Sequence, residues 1–236
     1  MTFSMKRSLA ILQKDYKDVS KNMYVCFTLF LPLVMAALYG RMGVQSIDAI
    51  YMVFNISFTL VATYVQSALI AEEKEKNTLR GLMLSPASPL EIISGKSLLS
   101  LIATLIILFA SAFLIEYQPG NMVAVGLALL FSSIFYIGMG TLLGLVTKSA
   151  MEASVAVMPI VVVFSFGSFI TPFIEQYPIL KIAEYMPNLQ LIELANKVQA
   201  GATFMGVMSN LGIILLWALI VHVFVVIVYK KRMLDE

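Results

Sequence analysis

Apolar residues in this chain come in long blocks parted by short polar breaks, with no strand-like alternation. Six blocks stand out: Met23–Tyr39, Ala49–Ala71, Ser97–Ile115, Met122–Val146, Ala153–Ile170 and Leu211–Tyr229. Each approaches or reaches the ~20 residues of helix that cross a bilayer. The first is the shortest, so its flanks lie close to the headgroups. Ahead of it the pattern changes. Met5, Leu9, Leu12, Tyr16, Val19 and Met23 step by three or four residues, which is one helical face, while Lys6, Lys14, Lys17, Asp18 and Lys21 lie off that stripe. Residues 1–22 are therefore predicted as an amphipathic helix lying in a membrane interface, and residues 23–236 as a six-helix membrane domain. Two connections are long, 72–96 and 171–210, and length in a connection usually carries a task.

Composition supports the same class. The chain is 60% apolar and 13% charged, with a mean hydropathy of +0.90, against about half and a quarter in soluble domains. A net charge of +2 argues against nucleic acid as a partner. With the N-terminus in the cytoplasm, only Arg41, Lys181 and Lys197 of the 16 Lys and Arg fall outside. That asymmetry predicts both termini on the cytoplasmic side of a cell membrane. The lone Cys26 cannot form an internal disulfide and reads as a small buried hydrophobe. The lone His222, in mid-block, cannot build a metal site and reads as a neutral, hydrogen-bonded imidazole. No acidic residue falls deep in a block, so no proton relay is expected.

Gly95-Lys96-Ser97 has the look of a phosphate-binding loop. That loop requires a glycine at position 90, where Leu90 stands, and a strand before its helix. Ser88-Pro89-Leu90-Glu91 instead reads as a capping box with proline at the first helical position, so a helix begins there and runs into the third block. Gly95 and Lys96 lie inside it, with Lys96 expected to snorkel to the headgroups. Glu72, Glu73 and Glu75 are expected to prolong the second helix as a solvated extension. Leu79, Leu82, Met83 and Leu84 follow, apolar residues on a short cytoplasmic element, either a docking surface or a loop folded back on its own helices.

The run "EEKEKNTLRGLMLSPASPLEIISGKSLLS" resembles the ABC-2 family of transporter permeases: an acidic residue (Glu72 or Glu73), Thr78-Leu79, Leu82, Ser85-Pro86, Ser88, and Gly95-Lys96, with Asn77 where the family usually has glycine. Gly167, Pro172, Pro178 and Pro187 match its segment after the fifth span. The resemblance implies a membrane subunit that pairs with a second permease chain, identical or homologous, and with two copies of a separate ABC ATP-binding subunit. The 72–96 loop would be the coupling element, with Glu72, Glu73, Thr78, Leu79, Leu82, Met83, Leu84, Ser85, Pro86 and Ser88 facing that ATPase. No Walker A motif occurs in the chain, so no cofactor is expected in it, and ATP and Mg would be bound by the partner.

Within the blocks, Asn55, Thr59, Thr63 and Gln66 share one face of the second helix. They read either as the lining of a transport path or as interhelical hydrogen-bonding groups. Gly140 and Gly144 read as a close-packing pair, and Pro159 as a kink or hinge. Asn188 and Gly201 are expected to cap a short helix that dips into the outer leaflet within the helical segment 171–207. The expected function is export of an amphiphile, such as a peptide, lipid-linked molecule or drug, by a bacterial inner-membrane transporter. The rivals are a passive channel or scramblase and an intramembrane hydrolase. "EEKEKN" departs from the hydrolase motif EExxxR at Asn77, and the histidines that chemistry needs are missing.

Overall fold

The computed structural model describes residues 4–76, 78, 88–170 and 177–235. Among them every regular element is helical. Helix α1 (Met5–Val19) precedes α2 (Met23–Arg41). One long rod follows, made of α3 (Ile47–Ser57), a π-helical segment (Phe58–Val65) and α4 (Gln66–Glu75). Then come α5 (Pro89–Leu114), α6 (Met122–Val146), α7 (Ala150–Ala156) and α8 (Met158–Ser165). The 3-10 turn Pro178–Tyr185 leads to α9 (Pro187–Gln199), and α10 (Met208–Asp235) closes the bundle.

Four helical stretches are long and apolar enough to cross a membrane: Ile47–Glu75, Glu91–Leu114, Met122–Val146 and Phe204–Lys231. The first and fifth predicted spans are shorter as apolar helices, Val25–Arg41 and Ala150–Ser165. The fifth is interrupted at Val157, two residues before Pro159, whose nitrogen has no hydrogen to continue the ladder.

The Ile47–Glu75 rod is the axis of the molecule. Its apolar window is 94% buried, against 28–50% for the other three long helices, whose outer faces carry exposed Phe, Leu, Ile and Val. An all-round buried helix inside a ring of half-buried ones is the arrangement a lipid-facing bundle requires, since only outer faces can meet acyl chains. Two ends are distinct. At the charged end lie α1, the end of α4 and the start of α5; at the far end lie the start of α3 and the 114–122 connection. Helix α9 re-enters from the far end. The Asn188 side chain donates to the Phe164 carbonyl at 3.0 Å, and the Trp217 indole donates to the Tyr185 carbonyl at 2.7 Å. Trp217 lies roughly 14 Å along α10 from its start, at about 1.5 Å per residue. Asn188 is thus spent on Phe164, and Met186 occupies the N-cap without a side-chain cap. Gly201, at φ +86, ends this region as expected of a residue in the left-handed conformation.

Candidate functional site

At the charged end the local chemistry starts with the capping box. Ser88 Oγ accepts from Glu91 N–H at 3.3 Å, and the Glu91 carboxylate accepts from Ser88 N–H at 2.6 Å. The same carboxylate accepts from Ser4 N–H at 2.5 Å and meets Arg7 at 3.3 Å. One residue therefore caps α5 and pins the start of α1.

Each member of Gly95-Lys96-Ser97 has a structural role. A Cβ on Gly95 would stand 2.8 Å from the Ser8 carbonyl and 2.9 Å from Ile11 Cβ, so glycine is what lets α1 lie against α5. Ser97 Oγ accepts from Gln66 Nε2 at 3.3 Å. Lys96 departs from the sequence expectation. It does not snorkel: at 2% exposure it donates to both Asp15 carboxylate oxygens at 3.1 Å and to Glu73 at 3.2 Å. Lys14 bridges Glu73 from the surface side, and the Thr78 hydroxyl also donates to Glu73. Two carboxylates and two ammonium groups thus form a charge-balanced joint between α1, α4 and α5, buried at Asp15, Glu73 and Lys96 and open to the surface at Lys14. Burial pushes the Asp15 carboxyl above its ordinary value, and the Lys96 ammonium opposes that shift.

The expectation of a solvated acidic extension is corrected in the same way. Helix α4 does run to Glu75, but its charges go to specific partners. Glu72 pairs with Lys76 one turn on, and Glu73 is 4% exposed in the joint. Lys74 donates to the Leu145 carbonyl at 2.7 Å and the Thr147 carbonyl at 2.5 Å, satisfying the negative end of α6. Glu75 accepts from Ala150 N–H at 3.1 Å at the positive end of α7. The consecutive residues Glu73, Lys74 and Glu75 thereby tie α1, α5, α6 and α7 to one helix.

Helix α1 divides its apolar stripe: Leu12 and Val19 pack against the buried cluster of Tyr64, Val65 and Leu69, while the rest turns outward. Met5, Leu9 and Tyr16 are exposed, and the docked face is Ser8, Ile11 and Asp15. Sequence reasoning passed over Asp15. Its signal was its spacing: it follows Ser8 and Ile11 by seven and four residues, on the face that flanks the apolar stripe. Of the residues expected to face an ATPase, Glu72, Glu73, Thr78 and Ser88 lie in or beside this joint. Leu79, Leu82, Met83, Leu84, Ser85 and Pro86 lie outside the described residues.

In mid-bundle, the stripe on the central rod is buried and bonded to three neighbours. Asn55 accepts from the Tyr136 hydroxyl at 3.5 Å, and Thr59 meets Ser165 Oγ at 3.0 Å. Thr63 donates to the Tyr136 carbonyl at 3.0 Å. Gln66 donates to Thr141 Oγ1 at 3.0 Å and accepts from Ser100 Oγ at 2.6 Å. Gly140 and Gly144 face the same rod: a Cβ on Gly140 would stand 2.4 Å from the Thr63 carbonyl, and one on Gly144 would stand 2.8 Å from the Ser67 carbonyl. His222 Nδ1 bonds the Ala218 carbonyl at 2.9 Å. Among the described residues no group of His, Cys, Asp or Glu is placed to hold a metal ion.

A bundle of long apolar helices around a buried rod, closed at one end by paired charges, defines a multi-pass membrane protein. The chain belongs to the ABC-2 family of transporter proteins, whose family model matches residues 40–229. Membership makes it a membrane subunit of the ABC transporter class, which works with an ABC ATP-binding subunit. No curated protein matches the chain.

Proposed function

We propose that this chain is half of the membrane domain of an ATP-driven exporter of amphiphiles in a bacterial cell membrane. It pairs with a second permease chain, identical or homologous, and with two copies of a separate ATPase that bind ATP and Mg. It has six spans with both termini cytoplasmic, and it carries no catalytic site of its own. The observation that carries the reading is the charged joint, which makes α1, α4 and α5 one rigid unit at the mouth of the 72–96 loop. A push on Leu79, Leu82, Met83, Leu84, Ser85 and Pro86 by the ATPase would reach α4 through Thr78–Glu73 and α5 through Ser88–Glu91. It would then tilt the central rod.

In the cycle we propose, that tilt opens the seam between the rod and α6, releasing the Thr63–Tyr136 and Gln66–Thr141 hydrogen bonds. Asn55, Thr59, Thr63 and Gln66 then face the substrate. Two features support the seam as the moving element. Gly140 and Gly144 leave that part of the contact smooth, backbone against backbone, and the π-helical segment Phe58–Val65 lies beside it; such segments recur at functional sites. Pro159 serves as the hinge of the interrupted fifth span.

Detergent pull-down of the full chain from its native cells, with ATPase activity assayed on the eluate, tests the reading. An ATP-binding subunit is expected to co-purify, and Leu82→Asp with Met83→Asp is expected to abolish its recovery. Recovery of the wild-type chain alone, without ATPase activity, refutes the proposal.

A further inference from the structure

The far end of the bundle holds a cavity that the coupling mechanism does not use. It lies between the re-entrant α9, the start of α3 and the start of α10. Its volume is about 700 Å³, within the range of about 300–1,000 Å³ that small-molecule sites occupy.

The wall is built around two amides. Gln190 is 5% and Asn210 2% exposed, and Asn210 Nδ2 donates to Gln190 Oε1 at 2.8 Å. Gln190 in turn donates to the Glu184 carbonyl at 2.7 Å and to Glu193 at 3.2 Å. Lys197 donates to Asn210 at 3.0 Å and pairs with Glu193 at 2.8 Å. Lys197, the one ammonium in the lining among the described residues, is therefore spent. The carboxylates of Asp48 and Glu184, also in the lining, have no hydrogen bond or ion pair among the described residues. Apolar surface from Leu189 and Ile213 and the exposed ring of Tyr185 complete the wall. Fixed amides, two carboxylates without an ion pair among the described residues and an aromatic face together suit a ligand that is cationic at one point and apolar elsewhere.

We propose that this cavity binds organic cations with an apolar body, the class that includes quaternary ammonium and phosphonium compounds. That the bound cation is also exported rests on the transport reading above; the binding itself does not. The structure supplies its own reporter. Trp217, the only tryptophan, anchors Tyr185 through its indole N–H, so occupancy at Tyr185 perturbs its emission.

The test uses the full chain in lipid nanodiscs, titrated with tetraphenylphosphonium and separately with tetraphenylborate, an anion of the same shape. Saturable quenching of Trp217 by the cation alone is expected. Asp48→Asn with Glu184→Gln should weaken it by at least about tenfold, the scale of two lost charge contacts near a surface. Both side chains are exposed, so the amides leave the fold intact, which an unchanged melting curve verifies. Equal binding of the borate, unchanged affinity in the double variant, or no saturable quenching in the wild type each overturns the proposal. Because the probe is read on this chain alone, failure here leaves the ATPase pull-down result standing, and the reverse holds as well.

Discussion

The central rod is tied to its neighbours in two chemically different ways along its length. At the charged end, Glu73 shares Lys96 with Asp15 of α1, and ions hold three helices. About two to five turns away, at roughly 3.6 residues per turn, Asn55, Thr59, Thr63 and Gln66 reach α5, α6 and α8 through uncharged groups alone. The difference is one of replaceable partners. A buried ion that loses its counter-ion has no substitute, whereas a hydroxyl that loses a neighbour falls back on its own helix. Thr59 already bonds the Asn55 carbonyl at 3.0 Å and the Ile56 carbonyl at 3.1 Å. The charged joint is suited to transmit force without yielding. The neutral seam is suited to open and reclose.

The sharpest way to break that contrast is Lys96→Met. It leaves Asp15 and Glu73 sharing only Lys14, which is 4.0 Å from Asp15. Removing one partner of a buried pair costs about 3–5 kcal/mol, and the loss should appear as release of α1. Amide hydrogen exchange across residues 8–15 in detergent is expected to rise sharply, while α6 and α10 stay protected. Adding Asp15→Asn should recover part of the loss, because Glu73 keeps Lys14. Unchanged exchange in Lys96→Met would mean that packing at Gly95, and not charge, holds α1.

A smaller effect is expected where the seam relies on shape. Gly140→Ala puts a methyl 2.4 Å from the Thr63 carbonyl and 2.9 Å from Gln66 Cβ, and a backbone oxygen cannot step aside as a side chain can. Overpacking of this kind costs about 1–3 kcal/mol. Gly126→Ala, on the same helix with nothing within 4 Å of the new methyl, is its control and should be neutral or slightly stabilising. Equal shifts in the thermal midpoints of the two variants would remove the seam's claim to close packing.

The two regions also differed in how far the sequence disclosed them. The capping box at Ser88 and Glu91 was readable because it is local, satisfied within four residues. The polar stripe was readable as a stripe, since helical period fixes which residues share a face. Its partners were not, because Tyr136, Thr141 and Ser165 lie about 70 to 105 residues away and no periodicity joins them. Lys96 was misread for the same reason. Taken alone, a lysine near a membrane boundary is best placed at the headgroups, and only the three-dimensional approach of Asp15 and Glu73 makes burial possible. Gly95 hid its purpose too, since nothing in a single chain says which helix will lie across it. The docking of α1 is the most instructive case. Its apolar stripe was legible, yet a stripe does not say whether lipid or protein covers it, and here the protein takes one edge of it, Leu12 and Val19, together with Ser8, Ile11 and Asp15.

The finest test of the comparison pairs Thr59→Val with Ser165→Ala in a double-mutant cycle. Valine keeps the shape of threonine, and each single change deletes one end of a 3.0 Å contact. Hydrogen bonds between helices in membrane proteins couple by about 0.6 kcal/mol on average, because the separated partners find other acceptors. Thr59 has two such acceptors on its own helix, so the coupling should fall at or below that mean. The matching cycle of Lys96→Met with Asp15→Asn should give a value several times larger, read in the same denaturant titration in mixed micelles. A Thr59–Ser165 coupling as large as the ionic one would show the seam to be locked as firmly as the joint. The rod would then have no compliant stretch, and a tilt started at the charged end would have to be taken up elsewhere, with the break at Val157 the next place to look.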